Sequence, residues 1–497
     1  MTLKIEQTRL AVSKKIDAKK KSQLGQFFTP ASISKFMAEM FAINENGNCH
    51  LLDAGAGIGS LSAAFLERWT SGSLNFKHVE LDAFEIDSSL KSHLIQTLGK
   101  YDEYPGFGLT IRGTDFIHAA ADYLSGDLFA ERLPKYTHAI LNPPYKKISS
   151  KSAHRAALRQ VGIETVNLYS AFVALSLALL DDQGQLVAII PRSFCNGLYY
   201  RPFRKFIMRH AAIKQIHLFK SRNKAFKDDD VLQENIIIRL KRFGRQGSVI
   251  ISTSTDDSFN DLTIHDYPFE RIVFSEDQEQ FIHIPTSSEM NTLDLSSSTN
   301  NSLSDIKINV STGPVVDFRV KEHLCKMPES NTVPLLYPIH FINNGCEWPK
   351  QDIKKPNAIK RNKDTEKWLY PNGFYCVVRR FSSKEEKRRV VANVVDPSKF
   401  PDASALGFEN HLNVFHASKK SLPKALAFGI ALFLNTTAVD EYFRTFNGHT
   451  QVNATDLKRM KYPNRDTLIT FGEWAIAQGE LTQKKIDDKL EILLNEE

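Results

Sequence analysis

Cysteine is scarce in this sequence, and the few thiols lie far apart. The 497 residues contain five cysteines, namely Cys49, Cys195, Cys325, Cys346 and Cys376. No Cys-x-x-Cys pair occurs among them, although zinc sites and thiol redox sites commonly use such pairs. The odd number and the wide spacing therefore predict free thiols, and we expect no metal site.

Long apolar runs are also missing, although hydrophobic residues make up 42% of the chain. No window approaches the ~18 uninterrupted apolar residues that a membrane-spanning helix needs. The amino-terminal residues are rich in lysine and lack the apolar core and the small-residue cleavage site of a secretion signal. We therefore expect a cytoplasmic protein that does not enter a membrane.

Neither sign of charge dominates. The chain has 64 basic and 57 acidic residues, which gives a formal net charge of +7. Such an excess suits a polyanionic partner but is too small to identify one. The function must therefore be inferred from motifs rather than from composition.

Three segments differ in their apolar pattern. Residues 1–23 form a lysine-rich arm with a helical pattern, which is either a solvated tail or an arm that contacts nucleic acid. From residue 24 to about 245, short strand-like runs alternate with helical patterns, as in an α/β domain with a largely parallel sheet. The runs are His50–Leu52, His78–Phe84, Ala139–Leu141, Leu186–Ile190, Ile213–Phe219 and Asn235–Leu240.

The rest of the chain loses this alternation. β-rich pieces extend the first domain to residue 294, and the Ser/Asn-rich stretch Leu295–Ser304 reads as a linker. Residues 305–497 combine Pro and Gly turns, a basic stretch from Lys350 to Arg389 and an amphipathic helix over Glu480–Asn495. We predict a second domain of α+β character there.

A glycine-rich turn follows the first apolar run. The strand-like Leu51–Ala54 leads directly into Gly55, Gly57 and Gly59. Glycine lets the backbone approach a ligand closely and adopt conformations that a Cβ forbids. By itself the pattern also fits a tight turn without ligand, or a dinucleotide site.

Two later strand ends carry an acidic residue followed by an apolar one. Glu85 can accept hydrogen bonds from both hydroxyls of a ribose, and Ile86 can pack on an adenine ring. Asp115 can accept a hydrogen bond from the adenine amino group while Phe116 covers the ring. Together with the glycine turn, these residues predict a nucleotide-type cofactor at three successive strand ends.

The tetrapeptide Asn142-Pro143-Pro144-Tyr145 follows another strand-like run. An exocyclic aromatic amine is a poor nucleophile because its lone pair is delocalised into the ring. The Asn142 side-chain oxygen and the Pro143 carbonyl can accept its two N–H groups and draw the nitrogen towards tetrahedral geometry. The prolines make the loop rigid, and Tyr145 offers a face on which a base can stack. The chemistry favoured is attack of an amine on a methylsulfonium.

With these motifs the sequence resembles the bacterial amino-methyltransferases of restriction-modification systems, in the γ order. That order places the cofactor motifs first, the catalytic motif next and the target-recognition domain last. The match runs from Gly25 to about Arg242. The resemblance implies a Rossmann-like methyltransferase domain over residues 24–294, a target-recognition domain over 305–497, S-adenosylmethionine as cofactor and double-stranded DNA as substrate.

The resemblance also implies roles for individual residues. Thr29, in Gly25-Gln26-Phe27-Phe28-Thr29-Pro30, would contact the carboxylate of the cofactor. The order Asn-Pro-Pro-Tyr favours adenine N6 over cytosine N4. The implied cofactor-binding residues are Thr29, Asp53, Gly55, Gly57, Glu85, Ile86, Asp115, Phe116 and Asn142, and the implied catalytic residues are Asn142, Pro143, Pro144, Tyr145 and Phe226.

Phe226 is included because Ala225-Phe226 resembles the motif whose aromatic ring stacks on the flipped-out base. Flipping is required because the N6 amine lies inside the base stack, out of reach of a buried cofactor. Phe219 and Phe203 are rivals for this role, and a core position for Phe226 is a further alternative. Asn167–Phe172 and Gly184–Ser193 resemble the motifs that build the target-base pocket.

Near the carboxyl end, Tyr442–Leu457 resembles a segment of PstI/BsuBI-type modification methylases, which implies a short palindromic site, CTGCAG in that subgroup. We expect some polar residues of this half to read base edges and some basic ones to hold phosphates, although Asn453 can instead cap a helix. The candidate base readers are Arg444, Asn447, His449, Gln451 and Asn453. The candidate phosphate contacts are Lys354, Lys355, Lys360, Arg361, Arg379, Arg380, Arg388 and Arg389.

Two rival functions remain open at this point. A methyltransferase can use the same tetrapeptide on cytosine N4, on RNA adenine or on a protein glutamine. A catalytically silent DNA-binding specificity module is a rival of another class, although such a module needs neither Asn142 nor Glu85. We also expect a separate restriction endonuclease as functional partner, and a monomer in solution.

Overall fold

The computed structural model describes residues 2–15, 28–43, 47–221, 234–275, 277–285, 299–342, 345–382, 385–447 and 450–495. The chain divides into two compact units, Met1–Ser288 and Glu289–Glu497. Within the described ranges, no helix combines the length and the apolar character that crossing a bilayer requires.

The first unit is built on a nine-stranded sheet with the order β3-β2-β1-β4-β5-β7-β6-β8-β9. Its strands are β1 (Asn48–Ala54), β2 (His78–Phe84), β3 (Phe107–Arg112), β4 (Tyr136–Leu141), β5 (Leu180–Pro191), β6 (Ala211–Phe219), β7 (Asn235–Arg242), β8 (Val249–Ser254) and β9 (Thr263–Tyr267). The neighbouring strands β3, β2, β1, β4 and β5 pair in parallel. Strand β7 lies between β5 and β6 and is antiparallel to both. The predicted α/β domain with a mostly parallel sheet is confirmed.

Helices cover both faces of this sheet. They are α1 (Thr2–Lys15), α2 (Ala31–Glu39), α3 (Ser60–Thr70), α4 (Lys91–Leu98), α5 (Phe116–Ser125), α6 (Ala153–Gln160), α7 (Leu168–Leu179) and α8 (Arg201–His210). Along β5, Ala188 and Ile190 pack against the face that α5 to α8 cover, and Val187 and Ile189 pack against the other. A strand buried on both faces needs a continuous apolar run, which is what the sequence of β5 provides.

The described part of the amino-terminal arm is not a solvated tail. Helix α1 buries Ile5, Arg9 and Val12. Val12 shares an apolar cluster with Phe28 and Ile58. This half of the arm therefore belongs to the first unit, while residues 16–27 lie outside the described part of the chain.

The second unit combines small sheets with helices, as predicted. A four-stranded sheet has the order β10-β20-β17-β18, a five-stranded sheet has the order β11-β15-β12-β19-β16, and β13 pairs with β14. The strands are β10 (Asn309–Thr312), β11 (Leu324–Cys325), β12 (Thr332–Leu336), β13 (Phe341–Ile342), β14 (Gly345–Cys346), β15 (Ala358–Lys360), β16 (Leu369–Pro371), β17 (Tyr375–Arg379), β18 (Ala392–Val395), β19 (Ala405–Phe408) and β20 (Leu412–His416). The helices are α9 (Lys424–Leu434), α10 (Thr437–Phe446), α11 (Ala454–Arg459), α12 (Arg465–Ala477) and α13 (Gln483–Asn495).

The five cysteines are free, as predicted. Cys49, Cys195, Cys325 and Cys376 are buried, and Cys346 is partly buried. Burial raises the pKa of each thiol, to about 12 for Cys49, Cys195 and Cys346. The native thiols are therefore protonated at neutral pH.

Helices α9 and α12 cross in contact, with a glycine from each at the crossing. A Cβ on Gly429 would lie 1.7 Å from the Leu468 carbonyl oxygen, and one on Gly472 would lie 1.8 Å from the Ala425 carbonyl oxygen. Because both obstacles are backbone atoms, no side-chain rotation can make room. The helices can approach this closely only with glycine at both positions.

We predict that Gly429→Ala lowers the free energy of unfolding of the second unit by about 2–3 kcal/mol, because the helices must move apart. Denaturant unfolding followed by circular dichroism measures this loss. Gly479→Ala is the matched control, since a Cβ there meets no atom within 4 Å. Equal stability of the two variants would contradict the close crossing.

Candidate active site

The glycine turn after β1 has the conformation that its composition predicts. Gly55, Gly57 and Gly59 have φ angles of +90°, +57° and +84°, a region that residues with a Cβ rarely adopt. A Cβ on Gly55 would face the Phe172 ring at 3.7 Å, and one on Gly57 would face the Phe28 ring at 3.5 Å. The glycines are therefore required by the backbone conformation of the turn, which lies next to these two rings.

Glu85 connects this turn to the end of β2. Its Oε2 accepts a hydrogen bond from the Gly57 N–H at 2.8 Å, and its Oε1 accepts one from the Asp87 N–H at 2.7 Å. Each carboxylate oxygen has a second lone pair, so Glu85 can also accept from ribose hydroxyls. The carboxylate thus fixes the turn and faces the same cavity.

A pocket brings most of the predicted residues together. Its lining is Phe28, Gly55, Gly57, Phe84, Glu85, Ile86, Thr114, Asp115, Phe116, Asn142, Pro144 and Phe172. Ile86 is 56% exposed, so its side chain is available to cover a ring. Carboxylates for hydroxyl and amino groups, beside apolar rings for a purine, suit the nucleoside part of S-adenosylmethionine. Sequence reasoning did not name Phe28, Phe84 and Phe172 as cofactor-binding residues, although Phe28 and Phe172 lie in segments that the resemblance singled out.

Asp53 lies behind this pocket rather than in its lining. The side chain is fully buried, and its Oδ2 accepts from the Ser62 hydroxyl at 2.5 Å. Burial raises the pKa of Asp53 to about 7, the Glu85 charge adds to the rise, and the Ser62 hydrogen bond opposes it. The expected direct contact of Asp53 with a cofactor is therefore not supported by its position.

Asp115 begins helix α5. Its Oδ1 accepts from the His118 backbone N–H at 3.1 Å, which caps the helix. Its Oδ2 lies 2.9 Å from Nε2 of His154. No motif in the sequence points to His154, which lies after the catalytic tetrapeptide in helix α6.

The tetrapeptide follows β4 and faces the same pocket. The Asn142 Nδ2 donates to the Thr29 hydroxyl at 2.9 Å, and the Asn142 Oδ1 accepts from the Tyr145 hydroxyl at 3.2 Å. Tyr145 also lies 3.2 Å from the Ile189 carbonyl oxygen, and burial raises the pKa of its hydroxyl. The Asn142 nitrogen therefore lies on the Thr29 side of the amide and the oxygen on the Tyr145 side.

Phe226 lies outside the described residues, so its role stays a prediction. Its rivals Phe203 and Phe219 are each 1% exposed and belong to the apolar clusters on the two faces of the sheet. Neither ring is free to stack on a base in this arrangement. Tyr145 meets the Tyr169 ring edge-on at 6.2 Å, so an aromatic wall is present on the side of α7.

In the second unit, part of the expected DNA-reading set is internal. Asn447 and Arg389 are 1% and 2% exposed, and Arg389 Nη2 donates to Asn447 Oδ1 at 2.8 Å. Arg444 Nε donates to Asp440 at 2.7 Å. Asn453 caps α11 in a capping box with Asp456. The expectation of base or phosphate contacts is wrong for Asn447 and Arg389, because their side chains hold the unit together.

Two of the expected residues, Arg380 and Gln451, are partly buried and bind each other. Arg380 Nη2 donates to Gln451 Oε1 at 3.3 Å, and main-chain hydrogen bonds join Arg380 to His411 and to Val452. Phe381 is 40% exposed and lies 4.9 Å from the His411 ring. We call Arg380, Phe381, His411 and Gln451 the Arg380 cluster. His449 lies outside the described residues.

The strand order and the pocket at the carboxyl ends of β1 to β4 define a class I S-adenosylmethionine-dependent methyltransferase fold. The DrdV–DNA complex has a similar fold, with a TM-score of 0.51 and 10% identity, over 95% of this chain and 59% of that chain. Residues 63–226 match the family described as Eco57I restriction-modification methylase.

Full-length relatives identify the family. The type II methyltransferase M.BsuBI of Bacillus subtilis is 53% identical, over 99% of this chain and 97% of that protein. The type II methyltransferase M.PstI of Providencia stuartii is 42% identical, over 98% of this chain and 96% of that protein. The chain belongs to the type II methyltransferases of restriction-modification systems. It is a DNA methyltransferase, and its cofactor is S-adenosylmethionine.

The environment of Asp53 predicts a pH dependence of stability. Because its pKa is raised in the folded state, the folded chain holds a proton that the unfolded chain loses between about pH 4 and pH 7. Protonated Asp53 therefore stabilises the folded chain at acidic pH, and this stabilisation is lost as the pH rises through 7. Thermal unfolding of the first unit at pH 5.5 and pH 8 measures this loss.

Asp53→Asn removes the titrating group while keeping an oxygen that accepts from Ser62. We expect the variant to flatten the difference in melting temperature between the two pH values. The control is Asp102→Asn, at an exposed position of the same unit. An unchanged difference in the Asp53 variant would contradict the assignment.

Proposed function

We propose that this enzyme methylates the N6 amine of a flipped-out adenine in double-stranded DNA, at a short palindromic site. The observation that carries the proposal is the fixed orientation of Asn142. Its amide nitrogen is bound to Thr29, so its oxygen is directed to the other side, towards Tyr145. An oxygen held in this way can accept an N–H from the base without reorganising.

The protein activates the amine rather than the methyl donor. The Asn142 oxygen and the Pro143 carbonyl accept its two N–H groups, which reduces conjugation of the lone pair with the ring. When bound, S-adenosylmethionine supplies a methyl carbon on a positively charged sulfur, which leaves as a neutral thioether. The nitrogen lone pair forms the new N–C bond, and the nitrogen then loses a proton to solvent.

Tyr145 has a second role in this proposal. Its hydroxyl is bound at the Asn142 oxygen and stays protonated, since burial raises its pKa. Its ring can stack on the extruded base and recover part of the cost of unstacking, at roughly 1–3 kcal/mol per stacked base. Phe226 is proposed as the opposite ring of this sandwich.

The alternatives differ in the acceptor amine. Cytosine N4, RNA adenine and a protein glutamine can be bound by the same two oxygens, so the tetrapeptide alone does not separate them. The near full-length similarity to type II methyltransferases supports a DNA base, and the order Asn-Pro-Pro-Tyr supports adenine. A silent specificity module is disfavoured because it has no use for the Asn142 and Glu85 arrangement.

The second unit is proposed as the target-recognition domain. The Arg380 cluster offers the side chains that read base edges in the major groove, since arginine binds guanine and glutamine binds adenine in two-point contacts. The resemblance to PstI/BsuBI-type methylases supports CTGCAG as the site. Methylation there would protect host DNA from a cognate restriction endonuclease.

Asn142→Ala should lower methyl transfer by roughly 100-fold or more, because one of the two acceptors is lost. Binding of the cofactor and of DNA should persist. Tritiated methyl incorporation and a methylome of a host expressing each variant measure the effect and the modified base. Asn260→Ala, at an exposed position of the same unit, is the control.

Wild-type methylomes should contain N6-methyladenine at one palindrome, and the Asn142 variant should contain none. Detection of N4-methylcytosine in the same experiment would show that the acceptor is cytosine N4 and not adenine N6. Full turnover of the Asn142 variant would reject the mechanism.

Arg380→Ala and Gln451→Ala should each reduce the ratio of specific to non-specific DNA affinity by roughly 10-fold, because a base contact is lost. Competition binding with cognate and scrambled duplexes gives this ratio. Arg319→Ala is the matched control, since Arg319 is an exposed arginine of the same unit and is not among the candidate DNA contacts. If the ratio changes equally in all three variants, the Arg380 cluster does not read bases.

A further inference from the structure

The Asp115 carboxylate is held from two sides by groups with separate functions. Oδ1 accepts the backbone N–H of His118 and thereby caps helix α5. Oδ2 is bound to Nε2 of His154 at 2.9 Å, with the two side chains 28% and 32% exposed. The cap is complete without His154, so the second contact does not serve the helix.

His154 itself is fixed independently of Asp115. It lies in the first turn of α6, which Ser152 caps by accepting the Arg155 N–H. The segment between the catalytic tetrapeptide and α6 is bound to the chain before α7, through Ile148 N–H to Val166 O and Leu168 N–H to Lys146 O, both at 2.8 Å. A histidine held in this way can impose an orientation on a flexible carboxylate.

Asp115 also lines the cofactor pocket. A short acidic side chain that only capped a helix would be free to turn its second oxygen to solvent. Here the imidazole N–H binds that oxygen, and each carboxylate oxygen keeps a second lone pair that can accept from a group in the pocket.

We propose that His154 is a positioning residue for cofactor binding: its Nε2 N–H holds the Asp115 carboxylate in the orientation that accepts the adenine amino group of S-adenosylmethionine. The inference rests on the proposed role of Asp115 and is independent of which base in DNA is methylated. It gives the helix that follows the catalytic loop a direct part in recognising the adenine end of the cofactor.

The test compares two ligands that differ at a single position of the purine. S-adenosylhomocysteine carries the amino group, whereas S-inosylhomocysteine carries a carbonyl oxygen there and cannot donate to Asp115. Isothermal titration calorimetry with the full-length enzyme gives both dissociation constants. The wild-type enzyme should prefer the amino ligand.

His154→Ala should weaken binding of S-adenosylhomocysteine by roughly 10-fold, the effect of losing one charge-assisted hydrogen bond that orients an acceptor. Binding of S-inosylhomocysteine should stay within about 2-fold of wild type, because its contact does not use the oriented carboxylate. His154→Gln should restore the preference, since its amide N–H can reach the position of Nε2. His93→Ala, at a partly buried helical histidine of the same unit, is the matched control.

A loss that is equal for the two ligands would mark His154 as merely structural and overturn the proposal. Unchanged binding of both ligands to His154→Ala would overturn it as well. Because no DNA is present, neither result bears on adenine N6 as the acceptor. Conversely, methylation of another base would leave the expected ligand preference intact.

Discussion

A carboxamide presents an oxygen on one side and an NH2 group on the other, and only the oxygen can accept a hydrogen bond from an amine. The Asn142 nitrogen is bound to Thr29, so in the proposed mechanism the oxygen is the end that faces the substrate. The tetrapeptide after β4, the amino-terminal segment before α2 and the hydroxyl of Tyr145 all meet at this one amide. The proposed chemistry depends on this orientation, because a reversed amide would repel the N–H groups that it must bind.

The parts of the site that follow directly from a strand could be predicted from the sequence. Gly55, Glu85 and Asn142 each come immediately after a strand-like apolar run, and Asp115 lies shortly after the end of β3. Parallel strands bring their carboxyl ends to one edge of the sheet. Phe172 and His154 could not be predicted in this way, since they reach the site from helices. Their positions are set by tertiary packing. The segment Asn167–Phe172 carried a resemblance that pointed to the target-base pocket rather than the cofactor pocket, and no motif included His154.

The same limit explains the errors in the second unit. Arginine and asparagine near the carboxyl end have the side chains of a DNA-reading surface, and composition cannot tell an exposed guanidinium from an internal one. Arg389 is internal, and its N–H groups are accepted by Ser382, 7 residues earlier, and by Asn447, 58 residues later. A buried charge of this kind must be hydrogen-bonded to be tolerated. The role of Asn453 as a helix cap could be predicted because its partner Asp456 lies three residues later in the sequence.

The state of the five cysteines has a practical consequence for spectroscopy. Maleimides and similar reagents attack the thiolate, and thiols that are buried and hard to ionise react slowly. A single cysteine engineered at an exposed position can therefore carry a fluorophore or spin label while the native sulfurs stay unmodified. Because four of the five native cysteines are buried and Cys346 is partly buried, we expect them to react slowly, so distance measurements between labelled sites can begin without first replacing them.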